Sequence, residues 1–250
     1  MKRNILLSLL FISSLLCYSA ESQRLIEANR LYQQENYKAA DSLYQLVLEE
    51  EGASAALYYN LGNAKYRQGE IAPAILNYER ALKLDPNNED ILFNLEMAKL
   101  QTKDKIEQLD NLIFSEWSKS LQNLFSSNGW AILSILTFLI TLGGIALYFF
   151  GTNSSIKKTS FFASIATLLI CITSIYYASK QKDILQTHDT AIIFAPSVTG
   201  KGSPDKAGTD LFLLHEGTKV RVKSKLNGWV EIQIPDGNIG WIEEKDLEII

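Results

Sequence analysis

Residues 53–88 decide the fold of the N-terminal part of the chain, and they read ASAALYYNLGNAKYRQGEIAPAILNYERALKLDPNN. Aligned against the rest of the sequence, this stretch reveals a period of 34 residues, with one unit at 21–54 and the next at 55–88. Gly62 and Ala74 lack bulk, so two helices of one unit can approach closely at these positions. The pattern predicts stacked helix pairs, because one pair alone cannot bury its apolar face.

The second unit carries landmark residues at fixed offsets, namely Tyr58, Leu61, Gly62, Gly69, Ala74, Tyr78, Ala81 and Pro86. Gly69 suits the turn between the helices, where positive φ is needed, and Pro86 cannot continue the second helix. The arrangement resembles the tetratricopeptide repeat (TPR), a helix–turn–helix unit. Lys65 and Arg24 depart from the aromatic residues usual in the family, without changing the all-α solenoid that the resemblance implies.

A third unit begins at Glu89 but is incomplete. Its apolar residues recur at helical spacing, and we predict one capping helix over 89–112 with a polar outer face. The N-terminal domain, 21–112, then consists of two repeats and a cap.

A groove on the inner face of the solenoid is the candidate binding site. In the TPR family this face comes from the first helix of each unit, and the resemblance assigns to it Asn29, Tyr32, Tyr59, Asn63, Tyr66 and Arg67. Asn29 and Asn63 would form a ladder of amides that holds the backbone of an extended peptide, and Arg67 would bind a carboxylate. The alternative is a solvated groove with packed tyrosines.

Two uninterrupted apolar runs without charge occupy 129–150 and 160–179. A helix rises about 1.5 Å per residue, so roughly 20 apolar residues cross a bilayer core of about 30 Å, and both runs predict membrane helices. The loop between them, 151–159, carries Lys157 and Lys158 and no acidic residue, and short lysine-rich loops stay in the cytoplasm. This orientation places both soluble domains on the periplasmic side of a bacterial inner membrane.

The N-terminal residues 1–20 indicate a secretory signal peptide, with Lys2 and Arg3 before an apolar stretch too short to span a bilayer. Cleavage after Ala20 requires the same orientation as the lysines of the loop. A lipoprotein signal at Cys17 and an uncleaved anchor remain alternatives.

The juxtamembrane segment 113–128 connects the repeats to the first apolar run. Its apolar residues fall at helical spacing between polar ones, and they are Phe114, Trp117, Leu121, Leu124 and Phe125. The pattern indicates either an amphipathic helix on the outer leaflet or a last helix that packs on the soluble domain.

After Lys182 the chain changes to short β-branched or aromatic runs separated by glycine-containing turns. We predict strands at 191–194, 210–214, 218–224, 229–234 and 240–242, a helical turn at 245–247 and a long exposed loop at 198–208. The stretch LLHEGTKVRVKSKLNGWVEIQIPDGNIGWIEEKDLEII resembles the bacterial SH3 fold, a small all-β barrel that binds cell-wall peptides or proteins. We assign 180–250 to this domain with its linker. We predict that Trp229 and Trp241 serve in core and rim packing, with a binding cage as the alternative.

No residue pattern indicates catalysis, so we predict that the protein is not an enzyme. His188 and His215 lack a serine or cysteine nucleophile at a recognisable spacing. The sequence shows no phosphate loop and no paired metal ligands, and we predict neither cofactor nor metal. The formal net charge is -4 without a basic patch, which argues against nucleic acid as a partner.

The order of signal, TPR repeats, membrane hairpin and SH3-like domain resembles the BatE-type proteins of the Bacteroides aerotolerance (Bat) operon. The resemblance includes the helix NLEMAKLQTKDKIE after the repeats and GTDLFLLHEGTKV at the start of the barrel. It implies an inner-membrane complex with von Willebrand factor A-domain proteins and a MoxR-type ATPase. It also implies a role in oxygen or stress tolerance and envelope integrity.

Three functions compete at this point. The first is a non-enzymatic membrane scaffold whose repeats hold one protein and whose barrel holds another protein or the cell wall. The second is an envelope sensor whose barrel reads a cell-wall or peptide ligand and passes its state through the hairpin. The third, a cell-wall enzyme, lacks a catalytic constellation.

Overall fold

The computed structural model describes residues 23–106 and 113–250. The predicted signal peptide, 1–20, lies outside the described residues. The chain divides after Gly52 into two compact units.

The first unit is one helix pair, α1 (Gln23–Gln33) and α2 (Tyr37–Glu51). Asn36 caps α2, since its side-chain oxygen accepts a hydrogen bond from the backbone nitrogen of Ala39 at 3.4 Å. The residues that the repeat pattern aligns with the second unit are buried, and they are Ala28, Ala40, Tyr44 and Val47. The helical repeat character predicted from the sequence is present here.

The second unit opens with three helices, α3 (Ala55–Arg67), α4 (Ile71–Leu84) and α5 (Glu89–Lys99). Gly62 marks the close approach of α3 and α4, because a Cβ atom there would lie 2.6 Å from the ring of Tyr78. Gly69 has a φ of 81° in the turn between these helices, a conformation that favours glycine. Both glycines therefore have the roles predicted from the repeat.

Helix α5 is shorter than the sequence predicts, because it ends at Lys99 and does not continue to residue 112. Thr102 Oγ1 donates to the carbonyl oxygen of Lys99 at 2.8 Å, and Lys105 Nζ donates to the carbonyls of Lys99 and Leu100, each at 3.1 Å. These side chains satisfy carbonyl groups that a further helical turn would have used. Residues 107–112 of the predicted capping helix lie outside the described residues.

Three helices follow, α6 (Ile113–Asn123), α7 (Ser127–Phe150) and α8 (Ser154–Gln186). Both α7 and α8 are long and apolar enough to cross a membrane, and most of their apolar side chains are exposed rather than buried in a core. They fit the predicted membrane hairpin. Lys157 and Lys158 lie within α8, so the connection between the two helices has only residues 151–153.

Small and polar residues form the seam between α7 and α8. A Cβ atom on Gly144 would lie 2.3 Å from Ser164 Oγ, so glycine is what lets the helices approach there. Thr141 and Thr167 share a hydrogen bond of 2.8 Å across the seam. Small residues and hydroxyl pairs of this kind hold helices together where lipid supplies no hydrophobic driving force.

The C-terminal part is an open antiparallel sheet of seven strands in the order β3-β2-β6-β5-β4-β1-β7. The strands are β1 (Thr190–Ile193), β2 (Ser197–Lys201), β3 (Asp210–His215), β4 (Lys219–Leu226), β5 (Trp229–Gln233), β6 (Ile239–Glu243) and β7 (Leu247–Ile249). A short 3₁₀ turn, Glu244–Asp246, precedes β7 as predicted. The predicted loop at 198–208 is wrong in its first part, because Val198 and Gly200 belong to β2 and pair with β3.

The sheet has one buried and one outer face. Leu214, Val230, Ile232 and Ile242 lie in the buried cluster. Trp241 pairs with Lys201 and Trp229 with Glu243, and the period of two residues puts both tryptophans on the opposite face. Neither tryptophan belongs to the buried cluster and both are half-buried, which fits the predicted rim packing but not a place in the core.

The buried core of the helices continues into the sheet. Ile192 of β1 and Ile250 belong to the same buried cluster as Ile75 of α4 and Leu95 of α5. The two soluble segments of the second unit, separated in sequence by the hairpin, thus pack into one body.

Candidate protein-binding surfaces

Asn63 sits at the centre of a hydrogen-bond network on the α3–α5 surface. Its Oδ1 accepts from Tyr78 Oη at 2.8 Å and from Asn94 Nδ2 at 2.8 Å. Asn94 Nδ2 also donates to Tyr59 Oη at 3.0 Å. These bonds tie α3 to α4 and α5, so the amide predicted to hold a peptide first serves to fix the helices.

The same bond occurs in the first unit. Tyr44 Oη donates to Asn29 Oδ1 at 2.7 Å, and both residues stand 34 positions before Tyr78 and Asn63. An asparagine followed 15 residues later by a tyrosine is therefore a structural signature of each repeat. This spacing is visible in the sequence and could have identified the pair.

The remaining predicted groove residues divide between the two units. Tyr59, Tyr66 and Arg67 lie on α3, whereas Tyr32 lies on α1, where its ring contacts Tyr37 edge-on at 5.2 Å. Tyr66 Oη accepts from Gln101 Nε2 at 2.5 Å. Arg67 is exposed in the last turn of α3, at the helix end that favours a cation. Four of the six predicted groove residues, Asn63 included, therefore lie on helix α3 of the second unit.

Helix α5 carries a stripe of exposed apolar side chains. The prediction that its outer face is polar is wrong at these positions. Phe93, Met97 and Leu100 are 66%, 40% and 67% exposed. Leu100 caps α5 and keeps helical dihedral angles, so the spacing of four and three residues puts all three side chains on one side of the helix. We name Phe93, Met97 and Leu100 the α5 stripe.

Helix α4 packs against the C-terminal sheet. Arg80 Nη2 donates to the carbonyl oxygen of Ile249 at 2.8 Å. Lys83 Nζ donates to the carbonyl oxygens of Ile250 at 3.0 Å and of Thr187 at 2.9 Å. Burial lowers the pKa of the Lys83 ammonium, in part offset by the charge of Asp189. These bonds join the second helix of the repeat to the end of the chain and to the exit of α8.

A buried carboxylate strengthens the same contact. Glu79 is only 8% exposed, and its Oε2 accepts from Lys219 Nζ of β4 at 2.6 Å. Lys99 Nζ lies 3.7 Å from the other oxygen. A buried charge requires such partners, and removing one of them would leave the carboxylate uncompensated.

Asp104 joins the segment after α5 to the β3–β4 turn. Its Oδ2 accepts from the backbone nitrogen of His215 at 2.7 Å and from Thr218 Oγ1 at 2.6 Å. Its Oδ1 lies 2.7 Å from His215 Nδ1. Burial raises the pKa of the Asp104 carboxyl, but the hydrogen bonds from Thr218 and His215 outweigh it and hold the pKa below its ordinary value.

The outer face of the sheet is the second apolar surface. Leu211, Leu213, Leu226 and Ile239 are each about half exposed, at 52%, 56%, 48% and 47%. Trp229 and Trp241 lie among them on that face. The sequence analysis considered a binding role for the two tryptophans only as the alternative to packing, and it did not identify the exposed leucines of this face.

A comparison with protein families gives a match in this same region. Residues 62–95 match the family model for the TPR repeat. The matched TPR segment runs from Gly62 in α3 to Leu95 in α5 and contains Asn63, Tyr66 and Arg67. Comparison with curated proteins found no match to the chain.

Proposed function

We propose that this protein is a non-enzymatic membrane scaffold that binds a segment of another protein on the α3–α5 surface of its TPR region. One observation carries the proposal. The sheet packs on α4 and leaves Tyr66, Arg67 and the α5 stripe exposed or half-exposed. TPR repeats are protein-binding units. Because the sheet covers α4, the exposed α3–α5 surface is the place where we expect a partner to bind.

The hairpin supports anchoring with both soluble segments on one side of the membrane. A chain that crosses twice returns to its starting side, and the contacts of Arg80 and Lys83 with the C-terminal residues require that arrangement. We propose that this is the periplasmic side of the inner membrane. The support is the pair Lys157 and Lys158 close to the short connection between α7 and α8.

We further propose a partner set from the resemblance to the BatE-type proteins, namely von Willebrand factor A-domain proteins and a MoxR-type ATPase. The role would then be stress or oxygen tolerance of the envelope. The support is the order of TPR region, apolar hairpin and C-terminal sheet.

A specific observation favours a second candidate function, an envelope sensor. The C-terminal sheet, which we propose to be SH3-like, presents Trp229 and Trp241 together with exposed leucines on its outer face. Such a face suits a cell-wall peptide or a protein ligand. Its ligand state would reach the TPR region through Asp104 and Lys219.

The scaffold proposal is tested by capture of partners cross-linked in native membranes, using the full-length protein. Arg67→Glu reverses the charge at the end of α3 and should lower partner recovery about tenfold, since a charged hydrogen bond contributes on the order of 1.5 kcal/mol. Lys38→Glu is the matched control, because Lys38 is exposed on α2 and belongs to neither proposed binding surface.

Equal recovery by both variants and the wild type would remove Arg67 from the binding site. Recovery of peptidoglycan alone, without any protein, would overturn the scaffold function and favour the sensor. Asn63→Ala is unsuitable as a binding test, because it breaks bonds to Tyr78 and Asn94 and lowers stability.

A further inference from the structure

Buried polar groups hold helix α6 against the apolar hairpin. Gln122 Nε2 of α6 donates to Gln181 Oε1 of α8 at 2.8 Å, and these two residues are only 3% and 2% exposed. Trp130 Nε1 of α7 donates to the carbonyl oxygen of Gln122 at 2.9 Å. A buried amide or indole group costs free energy unless it has such a partner, so these bonds fix α6 at one place beside both helices.

The contacts lie where the apolar runs of the hairpin end. Trp130 is the second residue of the run 129–150, and Gln181 follows the last residue of the run 160–179 by two positions. The ring of Trp130 stacks on the ring of Tyr177, with centroids 5.2 Å apart. Aromatic rings are enriched at the boundary between bilayer and water, so α6 lies at the level of that boundary.

Helix α6 crosses α8 near Gln181 and does not run along the end of α8. Leu185 follows Gln181 by four residues and therefore lies on the same side of α8. It lines a cavity together with Arg80 and Leu84 of α4, so this side of α8 turns toward the repeat helices within one turn. The axis of α6 therefore leaves the hairpin along the membrane boundary.

One apolar side of α6 projects at about a right angle to the contact with α8. Trp117 and Leu121 are four residues apart and share this side of the helix. Gln122 follows Leu121 by one residue, and successive residues of an α-helix project about 100° apart. For a helix that lies along the membrane boundary with α8 beside it, the apolar side then faces either the bilayer or the soluble part of the chain.

The exposure of these side chains distinguishes the two directions. Trp117, Leu121 and Leu124 are 74%, 42% and 50% exposed. Packing on the soluble domain, one of the two arrangements that the sequence allows, would bury them. Phe125 is 46% exposed and meets the ring of Trp130 edge-on at 5.1 Å, so it joins this side of α6 to the apolar hairpin.

We propose that the side of α6 with Trp117, Leu121 and Leu124 inserts into the membrane leaflet next to the soluble segments, and that its partner there is lipid. The apolar side of such a helix lies about 5–10 Å deep, where headgroups meet acyl chains. Tryptophan suits that depth, because its ring is apolar and its N–H group stays near water. This inference goes beyond the proposed scaffold function and does not rest on it. It adds a lipid contact that sets the height of α6 above the bilayer centre.

Spin-label accessibility in phospholipid vesicles tests the proposal. The full-length protein without its two native cysteines carries one nitroxide label, introduced by Trp117→Cys or Leu121→Cys. We expect these labels to be relaxed by dissolved oxygen, which concentrates in the bilayer, and to be shielded from a water-soluble nickel complex. Leu139→Cys is the reference for lipid, because Leu139 is 57% exposed near the middle of α7.

Asn123→Cys is the matched control on the same helix. Asn123 follows Leu121 by two residues and therefore projects about 200° away from it. Its label should respond to the nickel complex. The ratio of oxygen to nickel accessibility at Trp117→Cys and Leu121→Cys should exceed the ratio at Asn123→Cys severalfold and approach that of Leu139→Cys.

Three results would overturn the proposal. Labels at positions 117 and 121 that respond to the nickel complex as strongly as the control lie in water. Labels that respond to neither reagent are covered by protein, either the rest of this chain or a second copy of it. If the Leu139→Cys label itself responds as in water, the membrane hairpin fails together with the lipid contact of α6. Partner capture by the Arg67→Glu variant is measured separately, so the protein-binding role of the α3–α5 surface stands or falls on its own.

Discussion

At Asn63 a single side-chain oxygen accepts hydrogen bonds from two helices, each at 2.8 Å. The residue was predictable as a groove residue from its place in the repeat. Its partners Tyr78 and Asn94 were not, because the pattern gives faces of helices rather than pairs of atoms. Asn29 and Tyr44 repeat the bond, which shows that the asparagine ladder is first a structural device.

Asp104 is the residue with the clearest pH dependence. Its carboxyl has a pKa below the ordinary value of 3.8, because hydrogen bonds from Thr218 and His215 outweigh the effect of burial. A lowered folded-state pKa contributes stability that is complete above the unfolded-state value of about 3.9. This contribution is lost as the pH falls through the folded-state pKa.

We expect Asp104→Asn to lower the free energy of unfolding by about 1–3 kcal/mol at pH 7, since the charged acceptor is lost. The difference between wild type and variant should begin to shrink below about pH 4, where the carboxyl of the unfolded chain is protonated, and it should be smallest once the pH has fallen through the lower pKa of the folded state. Thermal unfolding in detergent micelles from pH 7 to pH 3 measures this difference in stability between wild type and variant. A constant difference across that range would show that the carboxylate charge of Asp104 has no part in the contact.

At the scale of elements, the largest departures from prediction are at α5 and β2. The run after Lys99 has a helical composition, but Thr102 and Lys105 bond the last carbonyls of α5 instead of extending it. The stretch 198–208 is rich in glycine and serine, yet Val198 and Thr199 pair with β3. At β2, pairing with another strand overrides local propensity, whereas at α5 local side-chain bonds to the last carbonyls accompany the end of the helix.

Gly143 and Gly144 are neighbours on α7 that differ in what a side chain would contact. A Cβ atom at Gly144 would lie 2.3 Å from Ser164 Oγ, whereas one at Gly143 would meet nothing within 4 Å. We expect Gly144→Ala to destabilise the pairing of α7 and α8 by about 1–3 kcal/mol through overpacking. Gly143→Ala should have no such effect.

Thermal unfolding in detergent compares the two variants. Ser164→Gly in the Gly144→Ala background should restore most of the loss, because it removes the clashing hydroxyl group. If both alanine variants behaved alike, the close contact between the helices would not exist in the membrane.

At the scale of the whole second unit, packing of the sheet on α4 is the main structural result. Ile192 and Ile250 join the buried cluster of Ile75, and Glu79 pairs with Lys219. This contact ties the two ends of the hairpin together, so the two apolar helices and the rest of the second unit constrain each other.

Cysteine labelling checks the consequence for topology. In a background without Cys17 and Cys171, single cysteines replace Lys103, Lys223 or Thr152, which are exposed. We expect a membrane-impermeant maleimide to label positions 103 and 223 on intact spheroplasts, and position 152 only after lysis. Labelling of 103 without 223 would contradict the shared side, and labelling of 152 alone would reverse the orientation.

Periodicity and composition predicted the helical repeat, the two apolar helices and most strands of the sheet. Those features depend on periodicity and on small residues such as Gly62, which act within a few tens of residues. Packing between distant elements determines that the sheet covers α4, that Trp229 and Trp241 face outward and that the α5 stripe is left exposed. These depend on contacts between residues up to 169 positions apart, such as Arg80 and Ile249. No local pattern encodes such contacts, because they arise from surface complementarity between complete elements.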